Sequence, residues 1–308
     1  MHAIADIRYL SPAQKSQVET RVDPEYGVYW AFMNPQARAC ITNELLTDLR
    51  LVVDSLMCDG GWVTDAGQRH QVRYGVIASK TVGIFSLGGD LALFRRAIGS
   101  QDRNALREYG ERCIDVLLAW HQNCQGDMTT LSLVQGDALG GGFEGALSAS
   151  VLVAEESSRM GFPEVLFNLF PGMGAYSFLS RKVGRRVAER IITSGTMYSA
   201  RDLYDMGVVD VITPDGTGEA AVYSYIRKHA KQGNGRRGFE RARGEVDAIT
   251  RDEMVRVLEV WVDAALRLED RDLKMMERLV RAQNRFHEQE FGGRGDNVFP
   301  LQAVGAGD

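Results

Sequence analysis

Cysteine is scarce in this chain: four residues in 308, at Cys40, Cys58, Cys113 and Cys124, with no C-x-x-C spacing. That pattern gives no support to a zinc knuckle or a disulfide framework. No apolar run reaches the ~18 residues of a spanning helix. Met1 to Ser11 lacks the basic start and apolar core of a secretion leader. A formal charge of −5 without a Lys/Arg-rich tail argues against general nucleic-acid binding. His70, His121 and His229 have no serine or cysteine at a recognisable spacing, which disfavours a triad hydrolase. These absences predict a cytoplasmic protein without membrane insertion, nucleic-acid partner, metal or cofactor.

What is present is glycine, in two telling places. Leu139-Gly140-Gly141-Gly142-Phe143-Glu144 sets three bare backbone positions before a carboxylate, and the stretch from Phe143 to Ala154 is largely small and apolar. Glycine permits positive φ and close approach of main-chain N–H groups to a ligand, so such a turn can aim a donor at a developing oxyanion. Glu144 at the edge of a buried region is costly unless paired or used. A second glycine turn, Leu87-Gly88-Gly89-Asp90, follows the apolar run from Gly75 to Phe85. A second carboxylate follows in Gly161-Phe162-Pro163-Glu164. Together they describe an acid/base site beside an anion hole.

The length suffices for one large core plus an accessory region. Tyr26 to Met33, Gly75 to Phe85 and Thr130 to Val134 read as strands, and Thr42 to Met57 and Asn104 to Trp120 as amphipathic helices. Alternation of this kind predicts an α/β architecture. A turn-rich boundary falls at Thr213 to Gly218, so residues 1–213 form the expected core and 214–288 a helical C-terminal region. Lys231 to Gly238 reads as an exposed connector, and Arg251 to Phe286 as helix with a turn near Leu268 to Asp272. The tail, residues 289–308, is expected to be disordered.

In order and spacing, residues 25 to 215 resemble the crotonase (enoyl-CoA hydratase/isomerase) superfamily. Phe85 to Leu91 and Gln135 to Glu144 are similar to its two oxyanion-hole segments, and Gly161 to Glu164 with Phe170 to Gly174 to its second catalytic segment. Thr193 to Ala200, running on to Met206 to Asp210, is similar to a later helix-and-strand signature. Within the superfamily the chain most resembles the bacterial diffusible signal factor synthases. That likeness rests on Gly88 to Phe94, Val134 to Gly136, Pro163 to Phe167 and Phe170 to Phe178, with Tyr29-Trp30, Glu259 to Asp263 and Asp272 to Gln283 extending it.

The resemblance implies a crotonase-like spiral of ββα units with a helical C-terminal region for trimerisation, as a homotrimer or hexamer. It implies Glu144 and Glu164 as the catalytic pair, with Glu164 serving C2 and Glu144 the C3 hydroxyl, and the N–H groups of Gly89 and Gly141 as oxyanion donors. For the signal synthases it implies 3-hydroxyacyl acyl carrier protein as substrate, dehydrated to the cis-2-enoyl form and then hydrolysed to a free fatty-acid signal. Hydration or isomerisation of acyl-CoA is the alternative on the same fold, as is a regulatory role through binding a sensor histidine kinase. Met173, Trp261 and Leu279 match the family's acyl pocket, against ordinary helix packing for the latter two. Arg181, Lys182, Arg185 and Arg186 form the densest basic cluster, suited to an acidic carrier or simply to solvent.

Overall fold

The computed structural model describes residues 16–292 apart from residue 37, with side chains as far as Arg281. β1 (Val18–Asp23) pairs antiparallel with β2 (Val28–Met33), all six of whose residues are buried. Burial on both faces is what a parallel strand covered on each side requires. Thr42 then caps α1 (Asn43–Cys58), its hydroxyl accepting the Leu45 N–H at 3.2 Å. A hairpin of β3 (Trp62–Asp65) and β4 (Gln68–Gln71) leads to β5 (Tyr74–Ser79) and β6 (Gly83–Ser86). α2 (Leu91–Gly99), α3 (Arg103–His121), β7 (Thr129–Val134), β8 (Gly136–Leu139) and α4 (Gly141–Leu147) follow. Next come β9 (Val151–Glu155), β10 (Arg159–Gly161), a 3-10 turn (Pro163–Phe167), α5 (Ala175–Val183) and α6 (Arg185–Ser194). β11 (Tyr198–Ser199), α7 (Ala200–Asp205), β12 (Val211–Thr213), α8 (Gly218–Ala230), α9 (Gly233–Val246), α10 (Arg251–Ala265) and α11 (Asp270–Gly292) complete the chain.

Two sheets organise these elements. The larger has the order β1-β2-β5-β7-β9-β12, parallel beyond its first pair, and the smaller has the order β11-β10-β8-β6. The pairs β5/β6, β7/β8 and β9/β10 each place one strand in either sheet and then pass to helix. This repetition is the spiral of ββα turns that the resemblance implied. Trp30, Phe32, Leu131 and Leu133 on the outer face of the larger sheet pack with Val222 and Ile226 of α8. Ala31, Met33 and Val134 point the other way, into the main core with α1, α3 and α10.

Two expectations change. The run from Gly75 to Phe85 is two strands in different sheets, because Gly83 takes φ +70° and turns the chain between them. The connector foreseen at Lys231 to Gly238 becomes helix from Gly233, although α9 buries none of its residues. Contacts outside its own sequence hold it: Glu240 accepts the Thr129 hydroxyl at 3.1 Å, and Arg241 pairs with Asp127. The two C-terminal helices are separated by the turn expected near Leu268. Of the expected tail, 289–292 continue α11, and the remainder lies outside the described residues.

Candidate active site

The two glycine turns meet at the ends of β6 and β8. Gly88 takes φ +94°, and a Cβ there would stand 2.8 Å from the Leu139 carbonyl oxygen. A Cβ on Gly141 would stand 3.3 Å from the Gly89 nitrogen, so the two main chains pass side by side. Asp90 ends the first turn as N-cap of α2, accepting the Leu93 N–H at 3.0 Å. Arg38 grips the same carboxylate through two bonds of 2.9 Å, the planar fork-to-fork geometry that fixes both partners. Behind the turn, the buried Tyr109 hydroxyl donates to the Ile41 carbonyl at 2.6 Å and accepts the Asp90 N–H at 3.2 Å.

Glu144 lies in the first turn of α4 and is 1% exposed. Its Oε1 accepts the N–H groups of Met173 at 2.8 Å and Ala175 at 3.0 Å, which come from the start of α5. Burial pushes its carboxyl up to about 7, against the opposing pull of those two donors. Glu164 sits in the 3-10 turn with its acid end directed inward, and Oε2 is buried without a hydrogen-bond partner. Burial, then the neighbouring Glu144, push it up to about 8. The pair is therefore asymmetric: a single shared proton rests on Glu164 and leaves Glu144 as the anion.

Glu144, Glu164, Gly89 and Gly141 line one apolar cavity, which the fold therefore builds from all four of the expected residues. Met173 and Trp261 also line it, and Trp261 packs edge-on against Phe94 with ring centroids 5.1 Å apart. Leu279 is buried in the main core and is not among the lining residues. The basic cluster divides. Arg181 is bound to Glu253 at 2.7 Å and to the Ala248 carbonyl, and Lys182 to Asp210 at 2.7 Å, so both tie elements of the fold together. Arg185 and Arg186 are exposed at the start of α6, with no ion pair among the described residues.

Several site residues were invisible in the sequence. Tyr109, Cys113, Val116, Leu117 and Trp120 of α3 line the cavity, as do Leu46, Leu49, Val52 and Val53 of α1. Their spacing is that of an ordinary apolar stripe, so only the tertiary fold marks them. The buried Cys113 thiol is pushed up to about 12 by burial and then by Glu144, which keeps it protonated. Asn168, in the left-handed conformation just after the Glu164 turn, donates to Asp272 at 3.3 Å and links that turn to α11. Among the described residues no three His, Cys, Asp or Glu side chains are grouped to hold a metal, and no helix is long and apolar enough to cross a membrane.

Residues 31–282 match the enoyl-CoA hydratase/isomerase family. Over 182 residues, 59% of this chain, the sequence is 29% identical to a Bacillus subtilis protein described as a probable enoyl-CoA hydratase, and it spans 64% of that relative's length. It is 28% identical over 213 residues to the enoyl-CoA isomerase/hydratase fer4 of Mycosarcoma maydis, covering 68% of this chain and 72% of the relative. Human mitochondrial delta3-delta2-enoyl-CoA isomerase superposes with a TM-score of 0.70 at 17% identity, covering 90% of this chain and all of that one. DspI of Pseudomonas aeruginosa superposes with a TM-score of 0.64 at 20% identity, covering 80% of this chain and 93% of that one. At such identities the structural likeness speaks for the fold.

Proposed function

The chain belongs to the enoyl-CoA hydratase/isomerase family, and from that premise we propose that it adds water reversibly across the C2–C3 double bond of a 2-enoyl thioester. The observation that carries this reading is the asymmetric pair of buried carboxyls, Glu144 and Glu164, on the wall of an apolar cavity beside two glycine turns. Water attacking C3 loses a proton, and Glu144 as the better anion takes it. Electron density moves through C2 to the thioester oxygen. The N–H groups of Gly89 and Gly141 are the donors assigned to that oxyanion, each worth about 3 kcal/mol of barrier by analogy with other oxyanion holes. Glu164 then delivers its proton to C2. Dehydration runs the same steps backwards from the opposite distribution of the single shared proton.

Loss of 2-enoyl absorbance with trans-2-enoyl-CoA substrates tests the proposal. Glu144→Gln and Glu164→Gln are each expected to lower turnover by about 10²–10⁴-fold, the usual yield of a positioned acid or base. Wild-type turnover retained in both variants would overturn it.

A second reading is the bifunctional dehydratase and thioesterase of the signal synthases, acting on carrier-borne 3-hydroxyacyl chains. It is favoured by the presence of Met173 and Trp261, both taken from that subgroup's pattern, in the cavity wall. The same anion hole would serve the tetrahedral intermediate of thioester hydrolysis. Carrier docking at Arg185 and Arg186, assembly as trimer or hexamer and binding of a sensor kinase belong to this reading. Mass spectrometry separates the two: free 2-enoic acid released from 3-hydroxyacyl carrier protein supports the second, and an intact thioester product the first.

A further inference from the structure

Four elements carry the cavity lining away from the glycine turns. Beside the reacting groups, Tyr109 and Ile41 touch the first glycine turn. Along α3 the lining continues through Cys113, Val116 and Leu117 to Trp120, and along α1 through Leu46 and Leu49 to Val53. Arg112 of α3 bonds Asn43 and Thr47 at the start of α1, so the two helices advance together away from the site. On α4 the lining passes from Gly141 through Glu144 and Gly145 to Ser148. On the sheet it includes Met33, Ala31 and Ile77 but stops before the Tyr29–Gly75 pair, one step further along the strands.

At that step the indole of Trp120 lies on Gly75. A Cβ on Gly75 would stand 3.0 Å from Trp120 Cη2, so the ring uses the space that a side chain would take. Trp120 is buried, and its Nε1 has no hydrogen-bond partner, so packing rather than a polar contact fixes the ring there. Resting on the thioester reading above, we infer that Trp120, seated on Gly75, is the end stop of an acyl-chain cavity and sets the longest tail the enzyme accepts. From Cys113, beside Glu144, to Trp120 is seven residues, about 10 Å at about 1.5 Å per residue. At roughly 1.3 Å per carbon, set by ordinary covalent geometry, that accommodates about eight carbons beyond the reacting pair. Linear acyl chains longer than about ten to twelve carbons meet the indole.

The test measures chain-length cut-offs by two routes, on the full chain. Displacement of a dansylated undecanoate probe by fatty acids of about six to about sixteen carbons reads binding without catalysis. The same series as trans-2-enoyl-CoA reads kcat/KM. Trp120→Ala and the milder Trp120→Leu are expected to lengthen the longest accepted chain by about two to four carbons. Val116→Phe, which fills the cavity one turn nearer the site, is expected to shorten it by a similar amount. An identical cut-off in all four proteins overturns the end stop. Binding cut-offs that shift as expected without turnover of any thioester support the end stop and overturn the catalytic reading instead.

Discussion

Oε1 of Glu164 occupies the space that a Cβ on residue 140 would need. Gly140 also takes φ +49° and ψ −121°, a combination that residues with side chains avoid. Its N–H donates to the Gly161 carbonyl at 2.9 Å, tying the glycine turn to the strand that leads to Glu164. One missing side chain therefore brings the second carboxylate over the start of α4, where the first one sits. Gly140→Ala is expected to displace Glu164 and lower kcat by at least about 100-fold, while an alanine held in this sparsely populated backbone conformation costs about 1–3 kcal/mol of stability. Circular dichroism and steady-state kinetics check both. Near-normal kcat in a folded Gly140→Ala protein would contradict the placement of Glu164.

The pH profile should follow from one proton shared by two acids. With Glu144 pushed up to about 7 and Glu164 to about 8, the singly protonated pair is most populated between those values. Below about 7 the water-activating carboxylate is lost, and above about 8 the proton donor is lost. A bell-shaped kcat/KM with flanks near those pH values is expected, each flank belonging to the pair as a whole. Glu164→Gln should remove the alkaline flank from whatever activity remains. A flat profile from about pH 6 to about pH 9 would count against acid/base work by these residues.

The same displacement makes stability depend on pH. Both carboxyls titrate higher in the folded protein than the ordinary glutamate value of 4.5. Below about 4.5 both are protonated in either state, and their favourable contribution is complete. As pH rises towards about 7–8 the unfolded chain gives up protons that the folded chain still holds, so stability falls. The loss is finished above about 8. The wild type should therefore lose stability steadily across this window. Glu164→Gln, neutral throughout, should lose less between about pH 5 and about pH 8.5 in urea titrations. Parallel pH dependences for the two proteins would show that Glu164 is not held protonated by the fold.

How much of this was legible in the sequence differs by kind of residue. Glycine turns and carboxylates at buried edges are locally unusual, so Glu144, Glu164, Gly89 and Gly141 stand out, and the fold gathers them on one cavity. The cavity wall has no such mark. Trp120 and Leu279 both sit on apolar helical stripes, yet only the first faces the cavity, because α3 lies beside the glycine turns while Leu279 points from α11 into the core. Long-range pairings are equally silent. Arg181 reads as a free surface cation until Glu253, 72 residues away, is brought against it. Glycine misleads in the other direction in α9, where a helix containing Gly233, Gly235, Gly238 and Gly244 is held by side-chain contacts to Asp127 and Thr129.

Tyr109 offers the sharpest separation of positioning from packing. Its hydroxyl bridges the Ile41 carbonyl and the Asp90 N–H, and the Ile41 N–H in turn donates to the Gly88 carbonyl at 2.8 Å. The bridge thus holds both sides of the turn that carries Gly89. Tyr109→Phe keeps the ring and its edge-on contact with Phe94, 5.1 Å between centroids, but leaves two buried polar groups unpaired. Each unpaired group costs about 1–3 kcal/mol unless the turn relaxes to find other partners. Relaxation would move the Gly89 N–H away from the oxyanion, a contact that matters most in the transition state. Kcat is therefore expected to fall about 10-fold or more while KM changes less than about threefold, alongside a melting temperature lower by a few degrees. A purely structural role predicts the lower melting temperature with unchanged kcat in the folded fraction. That outcome, or an effect confined to KM, would remove Tyr109 from the machinery that positions the turn.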